Sequence, residues 1–375
     1  MGGLLYVEAV VDGMGTPVSL IVDSGASVGV LRRPIVEQLK LGLTTPQPVR
    51  GVASRTQLQA AMAPGLRIGG LQIGPGWVYV LEAGDEWQTC DGPRGFDGII
   101  GADVLWQLVT DIDYEEQTLR FATARSREHT AATVIALRPN ASRIVQATMR
   151  VAGTSGPVEI DTGSSASLTL SRSQLASISE RRSVEIRPFQ GAMVRGVSGP
   201  IDGGALFRIP LTIGSLADIV VDGLAVPMER PTMNLGNGFL DDYRVTIDGP
   251  GRQLFLAPKD GDGDPAPVRP TPGFYFRRDG GRFVVKVVVD ETPVARAGIE
   301  PGDRLLSIDG HGLDELDLEA ECRLRERLGR HEVVSVTFEH GGESRTVSFQ
   351  PSPLFGSSRP KPRLGAPTES VAEGP

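Results

Sequence analysis

The chain is poor in metal-binding and cross-linking residues: it has two cysteines, Cys90 and Cys322, and four histidines, His129, His311, His331 and His340. That scarcity excludes a disulfide framework and a Cys/His zinc cluster, and inert thiols are the default expectation. Aromatic residues make up only 5% of the 375 positions. No run of 18 apolar residues occurs, so no segment reads as a membrane-spanning helix. Positive charge is not in excess either, because 38 Lys+Arg stand against 46 Asp+Glu for a net charge of −8. Without a broad positive field, nucleic acid and anionic lipid are not expected partners. The opening residues show neither a basic n-region nor an apolar h-region, so no export signal is expected in this chain and the compartment stays open.

What is abundant is glycine and proline, 47 and 28 residues, a fifth of the chain. With few aromatics this composition predicts many short strands and turns, hence a mainly β fold, and the length suits two to three domains.

An internal repeat carries the most information. Val18-Ser-Leu-Ile-Val-Asp23-Ser24-Gly25-Ala-Ser27 is matched by Val158-Glu-Ile-Asp161-Thr162-Gly163-Ser-Ser165. Val49-Arg50-Gly51-Val52 is matched by Val194-Arg195-Gly196-Val197, and Leu66-Arg-Ile68-Gly69 by Leu211-Thr-Ile213-Gly214. Ile99-Ile100-Gly101 then answers Asn234-Leu235-Gly236, and Asp113 answers Asp248. The offsets are 138, 145, 145, 135 and 135, in collinear order, as a duplication with small insertions leaves them. Each half reads as short strands, with a helix expected from Arg33 to Lys40 and stopped by Gly42.

After the repeat, residues 258 to 273 hold five prolines, three glycines and three aspartates, which reads as a linker. A further unit of about eighty residues follows. Arg282 to Val289 reads as a strand, Leu316, Ala320, Leu324 and Leu328 as a helix stripe, and Val334 to Phe349 as a hairpin turned at His340-Gly-Gly-Glu. From Pro351 to Pro375, thirteen of twenty-five residues are Pro, Gly or Ser, so a disordered tail is expected.

The repeated triplets suggest a specific chemistry. Two carboxylates held close together cannot both ionise, so they share a proton: one can take a proton from water while the other polarises a carbonyl. The hydroxyl after each Asp can lock the two loops, and the Gly permits close backbone approach. Through Ile21-Val22-Asp23-Ser24-Gly25-Ala26-Ser27 and Glu159-Ile160-Asp161-Thr162-Gly163-Ser164-Ser165, the chain resembles the aspartic proteases, specifically two fused retropepsin-like lobes. Ile99-Ile100-Gly101 and Asn234-Leu235-Gly236 are similar to that family's second motif. The resemblance covers about residues 4 to 257. It implies catalytic Asp23 and Asp161, supporting Ser24, Gly25, Thr162 and Gly163, and flaps carrying Gly51, Val52, Gly196 and Val197. It also implies an extended peptide or unfolded protein as substrate, no cofactor and no metal, and a chain complete as a monomer. Two departures stand out: no tyrosine lies near Gly51 or Gly196, and Asn234 takes the place of an apolar residue.

Downstream, Thr292-Pro-Val-Ala-Arg-Ala-Gly298-Ile-Glu-Pro-Gly302-Asp303 with Leu305-Leu-Ser-Ile308-Asp-Gly310 resembles the core of a PDZ domain. That resemblance implies a small α+β domain in which Gly273, Phe274, Tyr275 and Phe276 meet a peptide, a C-terminal one included. The expected division is therefore 1–125 and 126–257 for the two lobes, 258–272 for the linker, 273–350 for the PDZ domain and 351–375 for the tail.

Three rival readings remain at this stage. Gly25-Ala26-Ser27-Val28-Gly29 fits a serine-hydrolase elbow, with His129 the only histidine before residue 311. Asp260-Gly-Asp262-Gly-Asp264 has a calcium-loop look but lacks the loop's sixth-position Gly and twelfth-position Glu. A catalytically weak protease fold that captures peptides through its PDZ domain is the alternative in which the chain is a scaffold.

Overall fold

The computed structural model describes residues 3–51, 54–82, 95–125, 132–196, 198–229, 231–259, 270–313, 316–330, 332–356 and 363–364. Most of these residues are in strands, and the helices are short. Expected features at Val52, Val197, Cys90, His129, most of the linker and most of the tail fall outside the described residues.

Among the described residues, three of the hydrophobic clusters form the centres of three units. The first gathers Val18, Leu20, Val22, Leu31, Val36, Val80 and Ile100, drawn from the short strands of the first half. In the second, Val158, Ile160, Leu168, Leu170, Phe207, Leu235 and Phe239 meet. The third holds Phe274, Phe276, Phe283, Val285, Val336 and Phe338. We call the first two units lobes and the third the C-terminal unit.

In the first lobe the strand Val18–Val22 lies antiparallel to Tyr6–Val11 and parallel to Gly98–Ile100. Gly98–Ile100 is in turn antiparallel to Val30–Arg32. The second lobe repeats that arrangement: Thr154–Asp161 is antiparallel to Val145–Val151 and parallel to Met233–Gly236, which is antiparallel to Leu168–Ser171. Such central strands, buried on both faces, read as runs of Val, Ile and Leu.

The lobes share a sheet. Val109–Asp113 pairs with Thr118–Ala122 on one side and with Tyr243–Asp248 on the other, and Tyr243–Asp248 pairs with Gln253–Pro258. The repeated aspartates sit at the two hairpin turns of this sheet. Asp113 Oδ1 accepts from the N–H groups of Glu115 and Glu116, both at 3.1 Å, and Asp248 Oδ1 accepts from Gly251 N–H at 2.7 Å. The boundary between halves is therefore a hydrogen-bonded seam, not a spacer.

The helix expected from Arg33 to Lys40 runs Arg33–Gln38. Gly42 does not stop it: Lys40 adopts a left-handed φ of 52°, and Leu41 N–H returns to Val36 O at 3.1 Å. In the second lobe Arg172–Ser179 forms a helix with a capping box between Ser171 and Gln174.

The C-terminal unit contains the strands Phe274–Asp279 and Arg282–Val289, the helix Leu318–Leu328 and the hairpin Val334–His340 with Glu343–Phe349. Leu316 precedes that helix and Asp317 caps it, accepting from Ala320 N–H at 2.7 Å. Thr271 and Ser352 bridge the unit's two ends. Cys322, on this helix, is disulfide-bonded, which corrects the expectation of an inert thiol.

Candidate active site

Asp23 directly follows the buried strand Val18–Val22, Asp161 ends the strand Thr154–Asp161, and the two loops meet between the lobes. The side chains are wired reciprocally. Ser24 N–H donates to Thr162 Oγ1 at 3.0 Å, and Thr162 N–H donates to Ser24 Oγ at 3.1 Å. Each hydroxyl then reaches into the opposite strand, Ser24 Oγ to Ile160 O at 2.6 Å and Thr162 Oγ1 to Val22 O at 2.7 Å. Both residues are fully buried, so every polar atom of this knot needs its partner.

The knot brings the two carboxyls into a hydrogen bond with each other. Gly25 and Gly163 make this possible: a Cβ on Gly25 would run into the Asp161 carboxylate, and one on Gly163 into that of Asp23. Asp23 Oδ1 accepts from Gly25 N–H at 2.8 Å and Ala26 N–H at 3.1 Å, while Asp161 Oδ1 accepts from Gly163 N–H at 3.0 Å. Asp161 has one further donor, Asn234 Nδ2, at 2.9 Å from Oδ2.

Burial, first of all, raises both carboxyls above the usual carboxylate range. Asp23 is held well up, since the charge on Asp161 adds to burial. At Asp161 the hydrogen bonds from Asp23, Asn234 and Gly163 oppose burial. The pair can thus share one proton, with one carboxyl protonated and the other charged.

Asn237 braces the second loop from behind. Fully buried, it donates to Thr162 O at 2.7 Å and Gly3 O at 2.9 Å and accepts from Tyr114 Oη at 2.8 Å. Sequence reasoning did not single it out. Its signal was position, one residue after the second apolar-apolar-Gly match, where the first half has Ala102.

Gly51 and Gly196 stand at hairpin tips. The first hairpin, Gln47–Arg50 with Arg55–Leu58, is four residues a side, and Gly51 N–H closes its turn on Ser54 O at 2.9 Å. The second, Glu185–Gly196 with Gly199–Ile213, is far longer, and its outgoing strand also pairs with the C-terminal unit: Phe189 with Val289, Gln190 with Val288, and Gly191 with Val287. Gly191 has a φ of 86°, and a Cβ there would strike the Lys286 carbonyl, so only glycine fits. Val52 and Val197, the other expected flap residues, lie outside the described residues.

In the C-terminal unit Gly273 turns the chain, with Phe274 and Phe276 in the core, leaving Tyr275 as the one exposed side chain of the four. Arg325, from the helix, donates to Phe276 O at 2.6 Å and stacks over the Tyr275 and Phe276 rings. It thus lies along the strand Phe274–Asp279.

The serine-hydrolase reading fails on local geometry. Gly25 to Gly29 joins two strands, Val18–Val22 and Val30–Arg32, whereas a nucleophile elbow needs a strand-to-helix turn. Asp260 to Asp264 lie outside the described residues.

Two β lobes thus carry a facing pair of carboxyls at their junction. In keeping with that, residues 7–104 match the family model described as aspartyl protease, so this stretch is an aspartic protease-like domain. A comparison with curated proteins finds no match. Among the described residues no helix is long and apolar enough to cross a membrane.

Proposed function

We propose that the chain is an aspartic endopeptidase whose two lobes, residues 1–125 and 126–257, arose by duplication and each supply one aspartate. The reading rests above all on the reciprocal Ser24 and Thr162 knot, which has no evident purpose beyond fixing two carboxyls face to face. Asp161 is the general base: it takes a proton from a water placed between the carboxyls, and the oxygen of that water bonds to the scissile carbonyl carbon. Asp23 gives its proton to the carbonyl oxygen. Collapse of the resulting tetrahedral species breaks the C–N bond, with a proton passing to the leaving amine.

Asn234 supports catalysis here by holding charge on Asp161. Gly51 and Val52 in one hairpin, and Gly196 and Val197 in the other, would cover an extended peptide. Residues 258–272 would link this enzyme to a PDZ-like unit, 273–350, with 351–375 as tail. That unit would recruit substrate along Gly273 to Phe276, once Arg325 yields the strand edge.

Cleavage of an unfolded protein by the native chain and by Asp161→Asn, from about pH 3 to 8 across the carboxylate range with EDTA present, tests the reading. Activity in the native chain alone is the expected result. Equal cleavage by both, or none by either, would reject it.

A further inference from the structure

Residues paired across neighbouring strands share a face of the sheet, as do residues two apart along one strand. Two residues before Asp23 stands Ile21, paired with Tyr6 and Ile99; Ile99 is paired with Val30, and Val30 with Tyr79. The row beside Asp23 is therefore Tyr6, Ile21, Ile99, Val30 and Tyr79, and these side chains join one small apolar cluster with Leu81 and Phe96. The equivalent row beside Asp161 is Gln146, Glu159, Asn234, Thr169 and Leu224. Four of its five members are polar, and one is acidic.

This second row is buried yet incompletely satisfied. Glu159 is 8% exposed and Asn234 is 6% exposed. Glu159 accepts from Asn140 Nδ2 at 3.0 Å and from Gln146, but among the described residues no Lys or Arg pairs with it. Asn234, whose amide nitrogen serves Asp161, has its Oδ1 buried with no hydrogen-bond partner. A buried carboxyl and an orphaned carbonyl oxygen on one face together ask for a donor carrying positive charge. Burial and the neighbouring charge of Asp161 push Glu159 up to about 7, a strain that a cation would relieve.

We propose that Glu159 and Asn234 form a subsite for a lysine or arginine side chain of the peptide, on the Asp161 side of the scissile bond, opposite an apolar subsite formed by Ile21, Ile99 and Val30. The inference rests on the protease reading of the dyad and adds to it a substrate class: peptides cut between a basic and an apolar residue. Bracing of the hairpin turn is a weaker account of Glu159. Asn140 already holds that turn through its Oδ1, which accepts from Ser142 N–H at 2.8 Å and Ile144 N–H at 3.0 Å.

The test is positional. A mixture of unfolded proteins is digested by the native chain, by Glu159→Gln and by Glu159→Leu, and the residues flanking each cut are counted. The expected result is Lys or Arg enriched on one side only and apolar residues on the other, with the basic enrichment falling at least about tenfold in Glu159→Gln and giving way to apolar residues in Glu159→Leu. Cleavage without basic enrichment, or enrichment that survives in Glu159→Gln, overturns the subsite and leaves the protease reading standing. If the native chain cuts nothing, that reading falls. The subsite is then decided by fluorescence anisotropy of labelled octapeptides carrying lysine or norleucine at each position in turn: tighter lysine binding that Glu159→Gln abolishes supports it, and equal binding rejects it.

Discussion

The two lobes place the same backbone around unlike side chains. Each aspartate stands at the end of a central strand, each is flanked by an apolar-apolar-Gly or Asn-Leu-Gly strand in parallel register, and each hydroxyl crosses to the other lobe. Yet the face beside Asp23 is apolar, whereas the face beside Asp161 carries Glu159 and Asn234. Symmetry is thus kept where the carboxyls must be aligned and lost where each must differ. An ideal two-fold site would have two identical acids. Here the Asn234 donor to Asp161 and the apolar setting of Asp23 tell the two apart before any substrate arrives.

The sharpest challenge to that comparison is to remove one acid at a time. Asp23→Asn and Asp161→Asn are each expected to lower kcat by roughly 10²–10⁴-fold, the usual worth of a positioned proton-transfer group. In pH–rate profiles, Asn234→Leu should shift the acidic limb upward, because Asp161 loses the donor that holds its charge. A limb that stays in place would mean the lobes differ in shape and not in proton placement.

Next in size is a pH effect confined to one lobe. The Glu159 carboxyl is raised in the folded chain from the usual 4.5 to about 7, so its stabilising contribution is fully present below 4.5 and lost as pH rises through about 7. The difference corresponds to about 3 kcal/mol. Glu159→Gln should therefore gain stability relative to the native chain by about that amount between pH 4 and pH 8 in urea titrations. Its counterpart Ile21→Val should cost the same at both pH values, about 1 kcal/mol.

Smaller effects probe what the lobes share. Gly25→Ala and Gly163→Ala each drive a methyl into the opposite carboxylate, and each should cost about 1–3 kcal/mol by thermal unfolding while separating the acids. Ser24→Ala and Thr162→Ala each strand one N–H and one carbonyl, so losses of about 1–3 kcal/mol, alike within about 1 kcal/mol, are expected. A large inequality between the last two would break the symmetry of the knot itself.

The placement of the two carboxyls was legible in the sequence because it is encoded locally. A buried strand followed by Asp, a hydroxyl and Gly fixes where each carboxyl goes, and the repeat supplies the pairing. Asp113 and Asp248 were visible as repeat positions, although their reason, capping two turns of a shared sheet, required the strands to be paired. Glu159 was in plain view two residues before Asp161, but Gln146 and Asn234 come beside it only through strand pairing. The helix end at Lys40 was misplaced for a different reason: a non-glycine residue takes the left-handed turn there. The joining of Phe189–Gly191 to Val287–Val289 had no local signal at all.

That ladder has a consequence for how the chain opens. Phe189, Val287 and Val289 also share a small core with Ile201, Leu224 and Val226, so the strand pairing is sealed on one face by apolar contact. The amides there are expected to exchange with solvent only when the C-terminal unit lets go, and those of the short hairpin at Gln47–Leu58, a two-stranded sheet of its own, independently of it. One hairpin would therefore share its opening equilibrium with a neighbouring body, and the other keep its own clock.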